Sequence, residues 1–526
     1  MAALNRREFI WLGAACAASR ALGISAARRC SPNYWCTWGI QNGRLSAQSS
    51  SGARDSIDAE RLLGADGWAR TEFAAARAHL YLMLDDGWDV PRGMDPARDL
   101  HKCASLDPDG TRFPGFGATR VERLRTLNAR IEDAGWQGAA LWVACQCRGE
   151  GFGKPLKDGK AVREIWTRNL EDVAAAGIRY LKVDWGARTG SAEFRGLMGE
   201  LKGKIAPEMV IEHAPQYRTP FNNLFRGGRL AGTPWSGYDD EVFGFADVVR
   251  IYDMLQPIDN AVTMERIAYY SDQIDRKGCP TLLNLEDSVV HGAVLGHSFG
   301  VMRAKGLGTH AIFGAAPDVS RLNERIAEVV RAVSWQEIAP PFGGTKAART
   351  RVSDEILTDE WHYARDEGWL AEAWEKDVAQ SAPMAVSRGA ALPEVVAKSG
   401  EKPFVCVGRN PNGALAVGVL PRVKGGRWGT PKADVRLDET VRPGMPLAVF
   451  GEPASLTVRT AAKPSSVRIR DLAGDAFHEI ASATVWSDGR LTLPGDVLVR
   501  IGRETAPNDP SAPGVEIVLK IGERNT

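Results

Sequence analysis

Short apolar runs alternate with amphipathic segments from about residue 31 to residue 345. The run Leu80–Leu84 predicts a buried strand, and apolar residues at helical spacing predict a helix over Val121–Ile131. The unit then repeats, with a predicted helix over Ile165–Val173 and a predicted strand over Tyr180–Val183. Because strands that alternate with helices of about 10 to 15 residues are typical of parallel β/α units, the pattern predicts an α/β fold.

Carboxylates stand where the predicted strands end. Five strands lead to them, in chain order Asp85 with Asp86, Asp184, Glu212, Asp253 and Glu286. In a (β/α)8 barrel the carboxyl ends of the strands form the active-site face, so these side chains would converge. A doubly wound sheet is the alternative, but no Gly-x-Gly-x-x-Gly motif follows the first strand. We therefore predict a (β/α)8 TIM barrel over residues 30–345.

The pattern changes after the barrel region. Residues 346–400 are mixed and charged, and we predict a connecting segment there. From residue 401 to residue 526 short apolar runs alternate with Gly, Pro, Asn and Asp. The stretch FVCVGRNPNGALAVGVL predicts two strands joined by a hairpin turn at Asn412 and Gly413. These features predict a C-terminal antiparallel β-sandwich domain over 401–526.

The first 29 residues have the layout of an export signal. Arg6 and Arg7 precede a short apolar run over Phe9–Ala18, and the adjacent arginines fit the twin-arginine type. The run is too short for a permanent membrane span, which needs about 20 residues. We expect residues 1–29 to be a signal peptide and the mature protein to be periplasmic or extracellular.

Composition and charge narrow the classes of function. The chain has 526 residues, 44% hydrophobic and 25% charged, as in a soluble globular protein. Sixty-six Lys and Arg against 65 Asp and Glu leave a net charge of +1, which provides no basic surface for nucleic acid. The eight cysteines are scattered, and the close pair Cys145 and Cys147 lacks the second pair and histidines of a zinc site. We expect no metal and no cofactor, and neither disulfides nor an oligomeric state are assigned.

Asp184 in YLKVDWG is the central candidate for catalysis. Lys182 lies two positions earlier, so both side chains leave the strand on the same side. The ammonium can then keep the acid ionised and can donate to a ligand hydroxyl. An ionised carboxylate in a pocket suits attack on an anomeric carbon, although a structural ion pair at a barrel rim gives the same pattern.

Glycoside hydrolysis needs a second, protonatable carboxyl on another strand. Asp253 in RIYD is the best candidate, because Arg250 is close enough to tune it or to bind substrate. Asp247 and Asp259 are its competitors, and helix capping or solvation is the structural alternative for each of the three.

Two pairs of side chains near the first two strands are candidates for sugar binding. Asp85 and Asp86 are adjacent, and carboxylates that only accept hydrogen bonds can fix sugar hydroxyls. A calcium site is the functional alternative and a solvated turn the structural one. Trp35 and Trp38 stand at the end of the first strand, where either an apolar wall or core packing accounts for them.

An ordered set of motifs resembles the melibiase clan, the α-galactosidases of glycoside hydrolase families twenty-seven and thirty-six. The motifs are WCTW, LMLDDGW, YLKVDWG, VIEHAP, RIYD and LLNLEDSVVHG. The resemblance covers roughly residues 33 to 340, with a C-terminal β domain in the expected place.

The resemblance implies roles for the candidates. Asp184 would be the nucleophile and Asp253 the acid/base of a retaining mechanism. Glu212 matches the position that helps to recognise the 2-hydroxyl, and Arg250 matches the arginine that precedes the acid/base. The residues that would bind hydroxyls or line the apolar face of the terminal sugar are Asp85, Asp86 and Lys182, with Trp35 or Trp38.

Some features depart from the family pattern. Asp253 follows Arg250 by three positions, as in family thirty-six, whereas family twenty-seven usually has four. Trp185 follows the nucleophile position where many relatives have another residue, and the segment Gly149–Lys160 is longer than expected. Both features would reshape the sugar pocket.

The expected activity is that of an exported retaining exo-α-glycosidase, an α-galactosidase acting on an oligosaccharide, polysaccharide or glycoconjugate. Within the clan, the alternatives are an α-N-acetylgalactosaminidase and a β-L-arabinopyranosidase. Glu212 argues against the N-acetyl sugar, because a carboxylate would not satisfy an acetamido group. From other classes, the alternatives are a sugar-binding barrel without turnover and a calcium-dependent enzyme that uses Asp85 and Asp86.

Overall fold

The computed structural model describes residues 31–43, 50–151, 153–215, 241–251, 257–304, 324–365 and 374–521. The predicted signal peptide and Asp253 lie outside the described residues.

Parallel strands pair in chain order and form the barrel that the sequence predicts. The strands are β1 (Tyr34–Cys36), β2 (Tyr81–Leu84), β3 (Ala139–Val143), β4 (Tyr180–Val183), β5 (Val210–His213), β6 (Val248–Arg250), β7 (Leu282–Asn284) and β8 (Gly300–Val301). Strand β1 pairs with β2 on one side and with β8 on the other. The circle closes between β7 and β8, where the Ser298 amide donates to the Leu283 carbonyl over 3.0 Å and the Leu285 amide donates to the Ser298 carbonyl over 3.1 Å.

Helices connect the barrel strands. They are α1 (Trp38–Gly43), α2 (Ser50–Asp55), α3 (Ala59–Leu63), α4 (Trp68–Thr71), α5 (Pro96–Asp99), α6 (Arg120–Asp133), α7 (Gly159–Ala175), α8 (Ala192–Ile205), α9 (Asp259–Lys277), α10 (Val289–Leu295) and α11 (Ala327–Ile338). In α6, Thr119 and Glu122 form a capping box, and Leu124, Leu127 and Ile131 supply the buried stripe that the spacing predicts. No described helix is long and apolar enough to cross a membrane.

Strands from residue 350 onwards build two sheets that pack face to face, which confirms the predicted sandwich, and two further antiparallel pairs outside these sheets. They are β9 (Thr350–Val352), β10 (Ile356–Tyr363), β11 (Lys376–Pro383), β12 (Ala385–Arg388), β13 (Glu394–Ala397), β14 (Phe404–Arg409), β15 (Leu415–Leu420), β16 (Arg422–Lys424), β17 (Arg427–Gly429), β18 (Ala433–Val441), β19 (Leu447–Gly451), β20 (Ser455–Thr460), β21 (Pro464–Asp471), β22 (His478–Glu479), β23 (Val485–Ser487), β24 (Arg490–Pro494) and β25 (Gly514–Ile521). The larger sheet has the order β22-β21-β25-β19-β15-β14-β12-β9, and the smaller sheet has the order β13-β18-β20-β24-β23. A short helix, α12 (Gly495–Ile501), follows β24.

The sandwich differs from the prediction in two respects. Its sheets are mixed, because β12 with β14, β15 with β19 and β18 with β20 are parallel pairs. The chain crosses to the other sheet between the members of each pair, so the returning strand runs in the original direction. In addition, residues 346–400, predicted as a connecting segment, contribute strands to both sheets.

The central strands of the larger sheet, β14, β15 and β19, are buried on both faces, which joins the sandwich to the barrel. Along β14, Val405 and Val407 belong to the core between the two sheets, whereas Phe404 and Cys406 belong to the core shared with the barrel. The buried Arg388 guanidinium pairs with Asp275 of α9 at 2.9 Å across this contact. The sandwich therefore fixes the helical side of the barrel.

Candidate active site

The candidate residues lie at the carboxyl ends of the barrel strands, as predicted. Asp85 and Asp86 follow β2, Asp184 follows β4, and Arg250 is the last residue of β6. A fourth acid, Glu286, lies two residues beyond β7. Parallel barrel strands deliver these groups to one face, and the contacts below show that they meet there.

Asp184 is held by two donors from other strands, Trp142 of the adjacent β3 and Arg250 of β6. Arg250 Nη2 lies 3.2 Å from Oδ1 and 3.1 Å from Oδ2 of Asp184. The indole Nε1 of Trp142, on β3, donates to Oδ2 over 3.1 Å. These donors orient Asp184, which is 9% exposed at the carboxyl end of the barrel, the place called the pocket below.

Lys182 and Asp85 form a buried ion pair beneath the pocket. Lys182 Nζ lies 3.1 Å from Asp85 Oδ2, and the Cys36 thiol donates to the same oxygen over 3.0 Å. Burial raises the pKa of Asp85, but the positive charge of Lys182 and the hydrogen bonds to the carboxylate outweigh it, and the net direction is downward. Burial lowers the pKa of Lys182, but the nearby carboxylates outweigh it, and the net direction is upward. Both partners are therefore charged at neutral pH.

Asp86 occupies a different environment from its neighbour. Its Oδ2 accepts from Arg54 Nε over 2.8 Å, whereas its buried Oδ1 has no hydrogen-bond partner among the described residues. Burial raises the pKa of Asp86 to about 6, although the Arg54 guanidinium acts in the opposite direction. Asp86 thus carries an oxygen that is ready to receive a further donor.

Glu286 links the two cations of the site. Its Oε1 lies 3.6 Å from Lys182 Nζ, and its Oε2 lies 3.3 Å from Arg250 Nη1. The Tyr34 hydroxyl lies 3.3 Å from Oε1. A chain of alternating charge therefore runs from Asp85 through Lys182, Glu286 and Arg250 to Asp184.

Glu212 is enclosed by other side chains, whereas the resemblance implies a contact with the 2-hydroxyl of the sugar. The side chain is completely buried. Its Oε1 accepts from the Tyr34 hydroxyl over 3.1 Å, and its Oε2 accepts from the Tyr180 hydroxyl over 2.8 Å and from Asn284 Nδ2 over 2.6 Å. Glu212 therefore lies in the buried interior of the barrel, in register with Lys182 of β4.

Trp35 is a core residue and does not line the pocket. Its neighbours on β1, Tyr34 and Cys36, contact Glu212 and Asp85 in the barrel interior. Because alternate strand residues face opposite sides, Trp35 points towards the helices, where it stacks on Trp136 with ring centroids 5.6 Å apart. Its Nε1 donates to the backbone carbonyl of Arg303 over 3.0 Å, and the side chain has no exposed surface.

Two other tryptophans, Trp142 and Trp185, lie beside Asp184. Trp38, the second tryptophan of the predicted wall, begins α1 and is half-buried. Trp142 and Trp185 have ring centroids 5.6 Å apart, and the Arg54 guanidinium carbon lies 5.5 Å from the centroid of the Trp185 ring. Trp185 is half-buried beside Asp184 and so provides an apolar surface at the site.

Of the three candidates for the acid/base, the structure describes Asp247 and Asp259. Asp253, the predicted acid/base, lies outside the described residues. Its competitor Asp247 precedes β6, at the opposite end of the barrel from Asp184, and accepts from Lys202 Nζ over 2.8 Å and from the Ile211 amide over 2.9 Å. Asp259 begins α9 and is 5% exposed. Asp247 is thereby excluded as a partner of Asp184.

Sequence reasoning missed Trp142 and Arg54 as site residues. Trp142 is the fourth residue of an apolar strand, so nothing distinguishes it from core packing. Arg54 lies in a different segment from Asp86, at a separation of 32 positions. Glu286 was identified as a strand-end carboxylate, but the sequence does not show that Lys182 of β4 and Arg250 of β6 pair with it.

The site carries no sign of a metal centre in the part of the chain that is described. No group of three His, Cys, Asp or Glu side chains there is arranged to hold a metal ion. Lys182 and Arg54 already pair with Asp85 and Asp86, the residues considered for calcium. The cysteines that the structure describes, Cys36, Cys103, Cys145, Cys147, Cys279 and Cys406, are free thiols.

Comparison with models of protein families finds no match, and comparison with the curated proteins finds none. Among solved structures, a GH27 β-L-arabinopyranosidase from Geobacillus stearothermophilus is similar at 10% identity and a TM-score of 0.39, over 95% of this chain and 98% of that one. An α-galactosidase from Saccharomyces cerevisiae is similar at 9% identity and a TM-score of 0.40, over 93% and 98%. A glucosidase from Croceicoccus marinus is similar at 11% identity and a TM-score of 0.33, over 86% and 92%.

Proposed function

We propose that the protein is a retaining glycoside hydrolase with Asp184 as its nucleophile and Asp253 as its acid/base. The observation that carries the proposal is the placement of Asp184 at the end of β4, partly exposed and oriented by Arg250 and Trp142. Both groups donate hydrogen bonds to the carboxylate and leave it turned towards the pocket. This arrangement suits a carboxylate that must approach an anomeric carbon in one direction.

The reaction proceeds in two displacements. In the first, an Asp184 oxygen forms a bond to the anomeric carbon while the bond to the leaving oxygen breaks, and Asp253 gives its proton to that oxygen. In the second, Asp253 takes a proton from water, the water oxygen attacks the anomeric carbon, and Asp184 leaves as a carboxylate. Because each displacement inverts the anomeric carbon, the two together retain its configuration.

The proposed substrate is a terminal α-galactoside of an oligosaccharide, polysaccharide or glycoconjugate. The motif resemblance supports this choice, as do the acceptors at the pocket. The ionised Asp85 with Lys182 and the unpartnered Oδ1 of Asp86 can bind sugar hydroxyls. Trp185 provides an apolar surface for the sugar ring. Because Glu212 is buried and accepts from three donors, it does not exclude an N-acetyl sugar, and α-N-acetylgalactosaminide and β-L-arabinopyranoside are the substrates to compare.

Hydrolysis of a panel of aryl glycosides tests the proposal. We expect release of the aryl group from the α-galactoside, with the α-anomer of the sugar as the first product by NMR. A β-anomer as the first product would contradict retention. Absence of hydrolysis on every aryl sugar, together with binding of the free sugar, would instead favour a barrel without turnover. Unchanged activity after dialysis against a chelator would contradict the alternative of a calcium-dependent enzyme.

We also propose that residues 1–29 direct export through the twin-arginine pathway, on the pattern of Arg6 and Arg7 before a short apolar run. Replacement of both arginines by lysine keeps the charge, and we expect it to leave the protein inside the cell. Export of the double variant at the normal rate would contradict this type of signal.

A further inference from the structure

We infer that Glu286 is a positioning residue that sets the orientation of Arg250 on the proposed nucleophile. This inference rests on the proposed function, because it concerns how Asp184 is presented to the substrate. Glu286 has no exposed surface, so it acts through its neighbours and not on the sugar itself.

The geometry places Glu286 between two cations that serve different carboxylates. Arg250 Nη1 lies 3.3 Å from Glu286 Oε2, while Nη2 of the same guanidinium lies 3.1 Å from Asp184 Oδ2. The planar guanidinium presents its donors in a fixed fork, so an anchor on Nη1 fixes the direction of Nη2. Rotation of Arg250 would break both contacts together.

The other oxygen of Glu286 extends the link to the sugar-binding side. Oε1 lies 3.6 Å from Lys182 Nζ, and Lys182 contacts Asp85 at 3.1 Å. The negative charge of Glu286 offsets the repulsion between the buried Lys182 and Arg250. Glu286 therefore keeps the two cations in one pocket and aligns the nucleophile with the sugar-binding carboxylate.

A charged positioning residue and a mere space-filling residue predict different behaviour. If the charge matters, its loss leaves the positive charges of Lys182 and Arg250 less neutralised. The remaining carboxylates of the site then stay ionised to lower pH. If Glu286 only fills space, an amide of the same shape changes neither the pH profile nor the turnover.

The test compares Glu286→Gln, which removes the charge, with Glu286→Asp, which keeps the charge and shortens the side chain. Glu516→Gln is the matched control, because Glu516 is a buried acid of the sandwich that pairs with Arg470 at 2.6 Å. The readouts are kcat, KM and the pH dependence of kcat/KM on the aryl glycoside that the unaltered protein hydrolyses.

For Glu286→Gln we expect a loss of about 100-fold in kcat/KM, mainly in kcat, since a misaligned nucleophile affects the chemical step. The acid limb of the pH profile should move to lower pH. Glu286→Asp should keep the acid limb of the unaltered protein and recover part of kcat. Glu516→Gln should change neither quantity.

The experiment distinguishes failure of the proposed function from failure of this inference. An unaltered protein that hydrolyses no glycoside would overturn the proposed function and this inference with it. An active protein in which Glu286→Gln behaves like Glu516→Gln would overturn the inference alone. If Glu286→Gln does not fold, Glu286→Asp decides, because full kcat in that variant would show that the position of the carboxylate does not matter.

Discussion

Arg250 Nη2 lies within 3.2 Å of both carboxylate oxygens of Asp184, although the two residues are 66 positions apart in the chain. The contact passes over β5, which separates β4 from β6 in the barrel. A single guanidinium nitrogen that donates to both oxygens restricts rotation of the carboxylate. The orientation of the candidate nucleophile is therefore set by another strand.

Asp184→Asn should abolish turnover and leave the fold intact. The amide cannot act as a nucleophile on an anomeric carbon, whereas its shape lets it keep one acceptor for Trp142 and Arg250. We expect kcat/KM to fall by several orders of magnitude, with an unchanged circular dichroism spectrum. An aggregated variant would favour a structural role for Asp184.

The carboxyl groups of Asp184 and Asp253 should lie roughly 5 to 6 Å apart, because a retaining enzyme leaves no room for water between them. A crystal structure that includes the segment around Asp253 gives this distance. A separation of about 7 to 9 Å would indicate inversion instead.

Trp142→Phe should lower activity more than it lowers stability. The variant keeps an aromatic ring but loses the Nε1 donor that lies 3.1 Å from Asp184 Oδ2. A hydrogen bond to a charged group contributes about 1.5 kcal/mol or more, so kcat/KM should fall by about tenfold. Trp136→Phe is the control, since the Trp136 indole donates to the backbone carbonyl of Ala69 over 2.8 Å, away from the site. Equal losses of activity in the two variants would contradict the assigned role.

Removal of Lys182 should destabilise the fold. Lys182→Met leaves Asp85 buried without its cation and Glu286 with Arg250 as its remaining partner, which costs about 3 to 5 kcal/mol in the free energy of unfolding. The double variant with Asp85→Asn should recover part of that loss. Urea denaturation measures the free energy of unfolding of the single and double variants. Lys204→Met is the control, and it should lose about 1 kcal/mol or less, because the pair of Lys204 with Glu200 is exposed. Additive losses in the double variant would show that the pair is not coupled.

Asp89 should make stability depend on pH. Burial, followed by the charge of Asp86, raises the pKa of Asp89 from 3.8 to about 7, so the folded state binds the proton more tightly than the unfolded state. The contribution of Asp89 to stability is then complete below about pH 4 and is lost as the pH rises through about 7. Relative to the unaltered protein, Asp89→Asn should gain up to about 1.4 kcal/mol per pH unit across that window.

Urea denaturation at pH 5 and pH 8 measures this difference for Asp89. Asp66→Asn is the control, because Asp66 is exposed. A gain for Asp89→Asn that is the same at both values of pH would mean that the carboxyl titrates normally in the folded protein.

The sequence by itself determined the barrel and the acids at its strand ends. Strand β4 occupies the predicted residues Tyr180–Val183, and Asp184 follows it as expected. The Asn412 and Gly413 hairpin is also confirmed, since Gly413 has a φ of 98° that favours glycine. These features depend on local patterns, namely apolar runs, turn residues and the period of each element.

Only the tertiary structure decided which side chains meet. Barrel strands are buried on both faces, so their apolar sequences do not show which residues point inwards. For this reason the sequence could not separate Trp35, which faces the helices, from Tyr34 and Cys36, which face the interior. Likewise, Glu212 is at the predicted strand end, but its three donors come from other strands and close it off from a ligand. The pairing of charges across the barrel depends on strand order and register, which bring together residues far apart in the chain.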